Sequence, residues 1–424
     1  MMTLLILLVV VLGVMAIAQM ARVYELTSRM RGKREEDISD SDNRMNGRLM
    51  WLFCILYFAF FIWLMVGWKD EMLPVSASEH GVWLDNMMFF NWVIIFIVFF
   101  ITNIVLFWFA GRYYHRKDRK AFWYPHNNTL EIWWTVVPGI VMIGIIIYGL
   151  IIWNRIITPA SSEAVLVELY AKQFDWTARY PGEDGVLGAT DFRLINATNP
   201  LGIVTKNSIA TRLEELEAEE TTIKKRMVDE VLPDDRMAEL KDRMEYLQRM
   251  ASRVVHLRTM MDQDLNALGE ASAYAHGSDD IVTKEFHLPL HKEISLVIRS
   301  RDVIHSVYMP HMRAQMNAVP GMTTRIAMTP TISTDSMRMV MNDPVFDYIL
   351  LCNKVCGASH YNMQMVLTVE PERAYETWMA GQLAKPFEGQ PAAATGTPAG
   401  QDQPAGEASA GEGSSDTQAM VRPN

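Results

Sequence analysis

Residues 165–180 read VLVELYAKQFDWTARY, and the chain turns at Pro181-Gly182 immediately afterwards. Val165, Val167 and Leu169 recur at every second position, the period at which successive side chains leave opposite faces of a strand. β-Branched and aromatic residues fill the run and a Pro-Gly pair closes it, so β-structure is expected to begin here. Before about residue 155 the chain has another character.

Four apolar runs lie upstream, at roughly residues 3–20, 50–68, 87–110 and 132–153. Each approaches the ~20 residues that a helix needs to cross ~30 Å of hydrocarbon, and four transmembrane helices are expected. A second reading of the first run is a signal sequence, because its core ends in Ala16-Ile17-Ala18; the absence of Lys or Arg ahead of that core opposes it. The segment 21–49 carries Arg22, Arg29, Arg31, Lys33, Arg34, Arg44 and Arg48, and 111–131 carries Arg112, Arg116, Lys117, Arg119 and Lys120. Between them, 69–86 has only Lys69 against four acidic residues. The basic loops should therefore face the cytoplasm, which puts everything after residue 154 on the outer side of a bacterial-type inner membrane.

Downstream, short strand-like runs recur at Ile281–Phe286, Ile294–Ile298, Thr324–Met328, Met337–Met341, Tyr348–Cys352 and Met363–Val369, the pattern of a β-sandwich or barrel. They are interrupted by residues 208–268, where Leu213, Leu216, Met244, Leu247, Met250, Val254, Leu257 and Met261 follow helical spacing with one break at Val231–Asp235. An antiparallel helical hairpin inserted between strands is expected there. Its apolar stripe serves either its own core or a docking arm for a partner. From about Glu388 the chain is Gly, Ala, Pro, Ser and Gln with acidic residues, too poor in large apolar groups to order. A net charge of -10 opposes nucleic-acid binding. No CxxCH occurs, so no covalently attached haem is expected.

Chemistry concentrates at 352–363, CNKVCGASHYNM. Only three cysteines occur in the chain, and two of them, Cys352 and Cys356, stand here with His360 and Met363. Thiolate, imidazole and thioether suit copper; zinc would take the first three donors and has little use for Met363. A Cys352–Cys356 disulfide is a third reading in an oxidising compartment. A second imidazole, His305, follows the strand-like VIRSRDVI and is expected at a strand end beside the loop.

With RDVIHSVYMP, the turn Val319-Pro320-Gly321, the CxxxCGxxHxxM loop and HNNTLEIWWTVVP at 126–138, the sequence resembles the cytochrome c oxidase subunit II family. That resemblance implies a cupredoxin-type outer sandwich holding a dinuclear copper centre, CuA. Cys352 and Cys356 would bridge two copper ions, His305 and His360 would each terminate one side, and Met363 and the Lys354 carbonyl would be weak ligands. The chain then divides into an extra N-terminal helix with its basic loop (1–48), a second extra helix (49–86), the transmembrane hairpin (87–158), the first part of the cupredoxin domain (159–207), the insert (208–272), the remainder with the copper loop (273–387) and the tail (388–424). Implied partners are the haem-copper catalytic subunit I with other oxidase subunits, the lipid bilayer, and a cytochrome c-type donor, soluble or membrane-bound, the latter docked through 208–272.

Some positions carry two readings or depart from the family. Glu131, three residues after Asn128, completes a capping box by local chemistry; by resemblance it marks a proton-uptake path. Phe174 and Asp175 stand where two adjacent aromatics are typical of the electron-accepting stretch, while Trp176 is retained. Lys354 replaces a glutamate that ordinarily helps bind magnesium at the subunit boundary, which puts that site in question. A quinol oxidase subunit normally lacks the copper ligands present here. A membrane-anchored copper-binding or copper-delivery protein is the alternative from another class, and it accounts for neither the paired histidines nor Glu131.

Overall fold

The structure, a computed structural model, describes residues 2–30, 32 and 38–389, with the backbone alone for 2–10 and 389. The expected tail beyond 389 and the basic residues Arg31, Lys33 and Arg34 lie outside the described residues. The first apolar run forms α1 (Met2–Met30). Among the described residues three helices are long and apolar enough to cross a membrane: α2 (Asp40–Trp68), α3 (Glu79–Arg112) and α4 (Asn128–Ile157). The side chains that begin the first run lie outside the described residues, so the fourth crossing stays an expectation.

Caps fix the ends of these helices. Ser39 accepts from the Asp42 N–H, Ser78 from Gly81 and Asn127 from Leu130, each satisfying a donor that the first turn leaves free. At α4 this corrects the capping-box reading. The cap is Asn127 rather than Asn128, the third helical residue is Leu130, and exposed Glu131 takes no part. Helices α2 and α3 meet through aromatic rings, among them Trp51–Trp108, Phe58–Phe100 and Phe61–Phe99, at centroid distances of 5.1, 4.9 and 4.7 Å.

Beyond the membrane helices, the run at 165–180 folds as a hairpin of β1 (Val165–Lys172) and β2 (Asp175–Tyr180). The remaining strands are β3 (Ile281–Thr283), β4 (Phe286–Pro289), β5 (Ile294–Ser300), β6 (His305–Met309), β7 (Ala314–Ala318), β8 (Thr324–Met328), β9 (Tyr348–Cys352) and β10 (Gln364–Glu370). They form two five-stranded sheets, ordered β3-β2-β1-β5-β8 and β4-β10-β9-β6-β7. Alternation decides the core: Val167, Leu169 and Ala171 of β1 pack with Leu296 and Ile298 of β5 and with Val307, Leu350 and Leu367 of the other sheet. This is a β-sandwich. It is tied to the start of α3, since Ser78 Oγ donates to the Met312 carbonyl and Arg313 grips Asp85 through two bonds of 2.9 and 3.0 Å.

One expected strand is a helix: residues 337–341 lie in the seventh helix in chain order, after the two helices of the insert. The insert folds as α5 (Lys206–Asp229) and α6 (Asp234–Leu268), broken at Glu230–Pro233, and α7 (Thr334–Met341) follows between β8 and β9. In α7 the alternation Met337, Met339, Met341 imitates a strand. Local chemistry overrules it: Ser333 caps the Ser336 N–H, Met337 is buried while Met339 is exposed, and Asn342 closes the helix in the left-handed region. A last helix, α8 (Glu372–Leu383), follows β10.

The insert is a compact unit of its own, Val186–Asp280 with residues 385–389. It is wider than the expected 208–272 because Leu194 and Val204 join its core with Ile209, Leu216, Leu247, Val254, Leu257 and Met261. Thr205 and Ser208 form a reciprocal capping box at the start of α5.

Candidate metal centre

His305 opens β6 and Cys352 ends β9, and the ladder between these strands places Val307 opposite Cys352. Two backbone bonds fold the following loop back: Cys352 N–H to the Met363 carbonyl at 3.0 Å and Asn353 N–H to the Ser306 carbonyl at 3.2 Å. The donors converge. Cys352 Sγ lies 3.7 Å from His305 Nδ1, 3.9 Å from Cys356 Sγ and 3.2 Å from the Lys354 carbonyl oxygen. Cys356 Sγ in turn lies 3.5 Å from His360 Nδ1 and 3.8 Å from Met363 Sδ.

Both cysteines are free, with their sulfurs nearly twice as far apart as the ~2.05 Å of a disulfide. His305 is fully buried, and its Nε2 meets Asp302 Oδ1 at 2.8 Å. A carboxylate can only accept there, so Nε2 carries the proton and the Nδ1 lone pair faces the sulfur, as a metal ligand requires. Burial would raise the Asp302 carboxyl, but the Gln173 N–H and the His305 ring hold it below the usual range. Burial and the neighbouring Cys352 push the Cys356 thiol up to about 11, so a metal must displace its proton.

His305, Cys352 and Cys356 present ligand atoms all within 4.8 Å of one another. Three such donors alone would also suit zinc. The thioether beyond Cys356 and the carbonyl beside Cys352 add one weak donor on each side, which fits the soft set that copper takes. The Lys354 side chain is exposed and cationic, so it offers nothing to magnesium.

Three neighbours escaped sequence reasoning: Asp302, Gln173 and Gly357. Gln173 Nε2 donates to the Cys356 carbonyl, which joins the turn between β1 and β2 to the cysteine loop. Gly357 has φ +141°, and a Cβ there would lie 2.8 Å from the Phe174 ring. The signal was the glycine directly after the second cysteine. Gly357→Ala should therefore push the loop off Phe174, at a cost of roughly 1–3 kcal/mol. Copper titration of the full chain is expected to show weaker retention, and unchanged affinity would count against this packing.

Trp176 is buried in the sandwich core with its ring centroid 6.2 Å from that of His305, edge to face, while Phe174 packs half-buried at the core's margin. Asp175 is held by Lys284. The structure thus brings together His305, Cys352, Lys354, Cys356, His360, Met363, Phe174 and Trp176. It leaves Glu131 elsewhere, in the first turn of α4, at the opposite end of that helix from the sandwich.

The chain is similar to known proteins in both its membrane and its outer segments. The family described as cytochrome c oxidase subunit II, transmembrane domain, matches residues 68–152, and its periplasmic domain matches 264–370. The alternative cytochrome c oxidase subunit 2 of Bradyrhizobium diazoefficiens is 27% identical over 310 residues, 72% of this chain and 82% of the relative. Cytochrome c oxidase subunit 2 of Thermostichus vulcanus is 23% identical over 317 residues, 74% and 79% of the two chains. Among solved structures, the periplasmic domain of subunit II of cytochrome oxidase of Bradyrhizobium japonicum aligns with 54% of this chain and 99% of its own, at 14% identity and a TM-score of 0.27, too slight a likeness to bear on the fold. A membrane segment and an outer domain, matched in order on either side of the helical insert, support a subunit II of the cytochrome c oxidase type.

Proposed function

We propose that the chain is the electron-accepting subunit of an oxidase, taking electrons from a cytochrome c-type donor at a dinuclear copper centre and passing them to a haem-copper subunit I that reduces oxygen. The observation that carries this is the convergence of two thiols, two imidazoles, a thioether and a carbonyl from β6, β9 and one loop. When bound, copper ions sharing two thiolates supply a one-electron relay whose charge is spread over both, so little rearranges as the electron passes.

The protein's part is to hold this set still and dry. Asp302 fixes the imidazole of His305, Gln173 and Gly357 fix the loop, and buried Trp176 keeps water from the His305 side. Phe174 and Trp176 are then the aromatic route toward the centre. Electron paramagnetic resonance of the copper-loaded full chain should show hyperfine structure from one electron shared by two copper nuclei, with a purple thiolate absorption. A single-copper signal, or stoichiometric zinc in place of copper, would overturn the reading and favour copper handling instead.

Two further roles belong to this reading. Glu131, exposed at the basic end of α4, would admit protons to subunit I from the cytoplasmic face of an inner membrane. Glu131→Gln should slow turnover of the assembled oxidase and leave the copper spectrum unchanged; equal turnover would remove Glu131 from the path. The α5–α6 hairpin would hold the donor. Replacing residues 219–243, whose end residues Glu219 and Arg243 pair across it, by a short turn should raise KM for reduced cytochrome c with kcat retained. An unchanged KM would leave the hairpin without this role.

A further inference from the structure

At the basic end of the membrane helices, the start of α2 and the end of α3 approach closely. A Cβ at Gly47 would lie 2.7 Å from Tyr114 Cδ1 and 2.9 Å from the Gly111 carbonyl oxygen, and one at Gly111 would lie 2.6 Å from Trp51 Nε1. Only glycine permits this contact. It seats Tyr113 and Tyr114 among arginines. Arg116 lies 4.9 Å from the centre of the Tyr114 ring and donates to its hydroxyl at 2.8 Å. Arg112 and Arg119 lie 5.9 and 5.1 Å from the centre of the Tyr113 ring. Arg116 first, and then Arg44, hold the Tyr114 hydroxyl below the usual phenol range.

Among the described residues none of Arg44, Arg112, Arg116 and Arg119 forms an ion pair with a carboxylate, and Asp118 is the weakest of the influences on Arg116. Aromatic faces attract guanidinium groups but leave their charge in place. Four like charges gathered around two rings repel one another and present a concentrated positive field. In the same loop Phe122, Trp123 and Tyr124 are 88%, 84% and 62% exposed, side chains of the kind that sit at headgroup level.

We propose that this arginine–tyrosine cluster is a binding site for the phosphodiester headgroup of an anionic phospholipid in the inner leaflet. The inference rests on the reading that α2 and α3 span the membrane, and not on the copper centre. Planar guanidiniums meet phosphate oxygens through paired N–H bonds, and the tyrosine rings hold Arg112, Arg116 and Arg119 in place before the lipid arrives. The glycine contact between α2 and α3 fixes the spacing of the site.

Native mass spectrometry of the delipidated full chain, offered phosphatidylglycerol and phosphatidylcholine of matched acyl chains, tests this. Phosphatidylglycerol should be retained preferentially. R116Q/R119Q should weaken that retention about 30-fold, at about 1 kcal/mol for each basic residue near an anionic headgroup, with helix content unchanged by circular dichroism. R22Q/R29Q, basic residues outside the cluster, should leave retention as it was. Equal retention of phosphatidylcholine, or equal loss in R22Q/R29Q, would overturn the proposal by showing no headgroup choice or only diffuse charge. Displacement by millimolar inorganic phosphate would overturn it in favour of a free-anion site. In the assembled oxidase, R116Q/R119Q that keeps its lipid but sheds another subunit would reassign the cluster to a protein contact.

Discussion

Serine in place of Cys356 should abolish the shared-electron copper signal and the thiolate absorption, leaving at most one copper per chain. Cys356 is the hub of the centre, with its sulfur near Cys352, His360 and Met363 at once. A serine hydroxyl is close in size but stays protonated, so it cannot act as the bridging anion. The fold should survive, because the bond from Gln173 reaches the Cys356 backbone carbonyl and not its side chain. The copper-free variant should therefore unfold within about 1 kcal/mol of the copper-free parent, as a change of this size usually does. Retention of the two-copper spectrum would mean that Cys356 bridges nothing.

Glu168→Gln should be the largest purely structural loss. Glu168 is 3% exposed on the face of β1 opposite the core and receives Arg179, at 3.0 Å, and Arg299. Removing the carboxylate takes the shared anion from buried Arg179 and partly exposed Arg299, which costs up to about 3–5 kcal/mol. Hydrogen exchange should reveal it as faster opening of β1 and β5, and protection unchanged to within ~0.5 kcal/mol would sink the estimate. The pH dependence has a defined sign. Burial pulls the Glu168 carboxyl upward, but Arg299 and Arg179 outweigh it and hold it below the usual value. The stability it contributes is then complete above the unfolded carboxyl pKa of about 4.3 and is lost as pH falls through the lower folded value.

Much of this was legible because thiol, imidazole and thioether donors stand at close spacing in one short stretch. CNKVCGASHYNM, with His305 upstream, names the site residues that the fold assembles, and the α5–α6 hairpin was visible in its apolar period and its break at Pro233. What was not legible depended on neighbours remote in sequence. Gln173 and Gly357 matter only because the turn between β1 and β2 lies against the cysteine loop. The period of two in Met337, Met339 and Met341 outweighed the Ser333 cap on reading, although the cap decides the structure. Asn127 and Asn128 are chemically equal candidates for a cap, and only the backbone at 127 selects one.

The sheet containing β1 also imposes an order of manufacture. Its pairing with β5 is parallel, and Glu168 and Arg299 meet from positions 131 residues apart. A chain delivered across a membrane from its N-terminus presents β1 and β2 while the strands that complete their sheet are still unmade. Such distant pairing slows closure, since the intervening chain must first be brought round. The insert eases this: it builds its own core from local contacts, and Tyr180 pairs with Ile281 across its base, so a folded insert reduces a long loop to a short one. His305 and the cysteine loop emerge only after the insert. On the proposed reading, copper would then enter after translocation and after the insert has folded, late in the subunit's maturation.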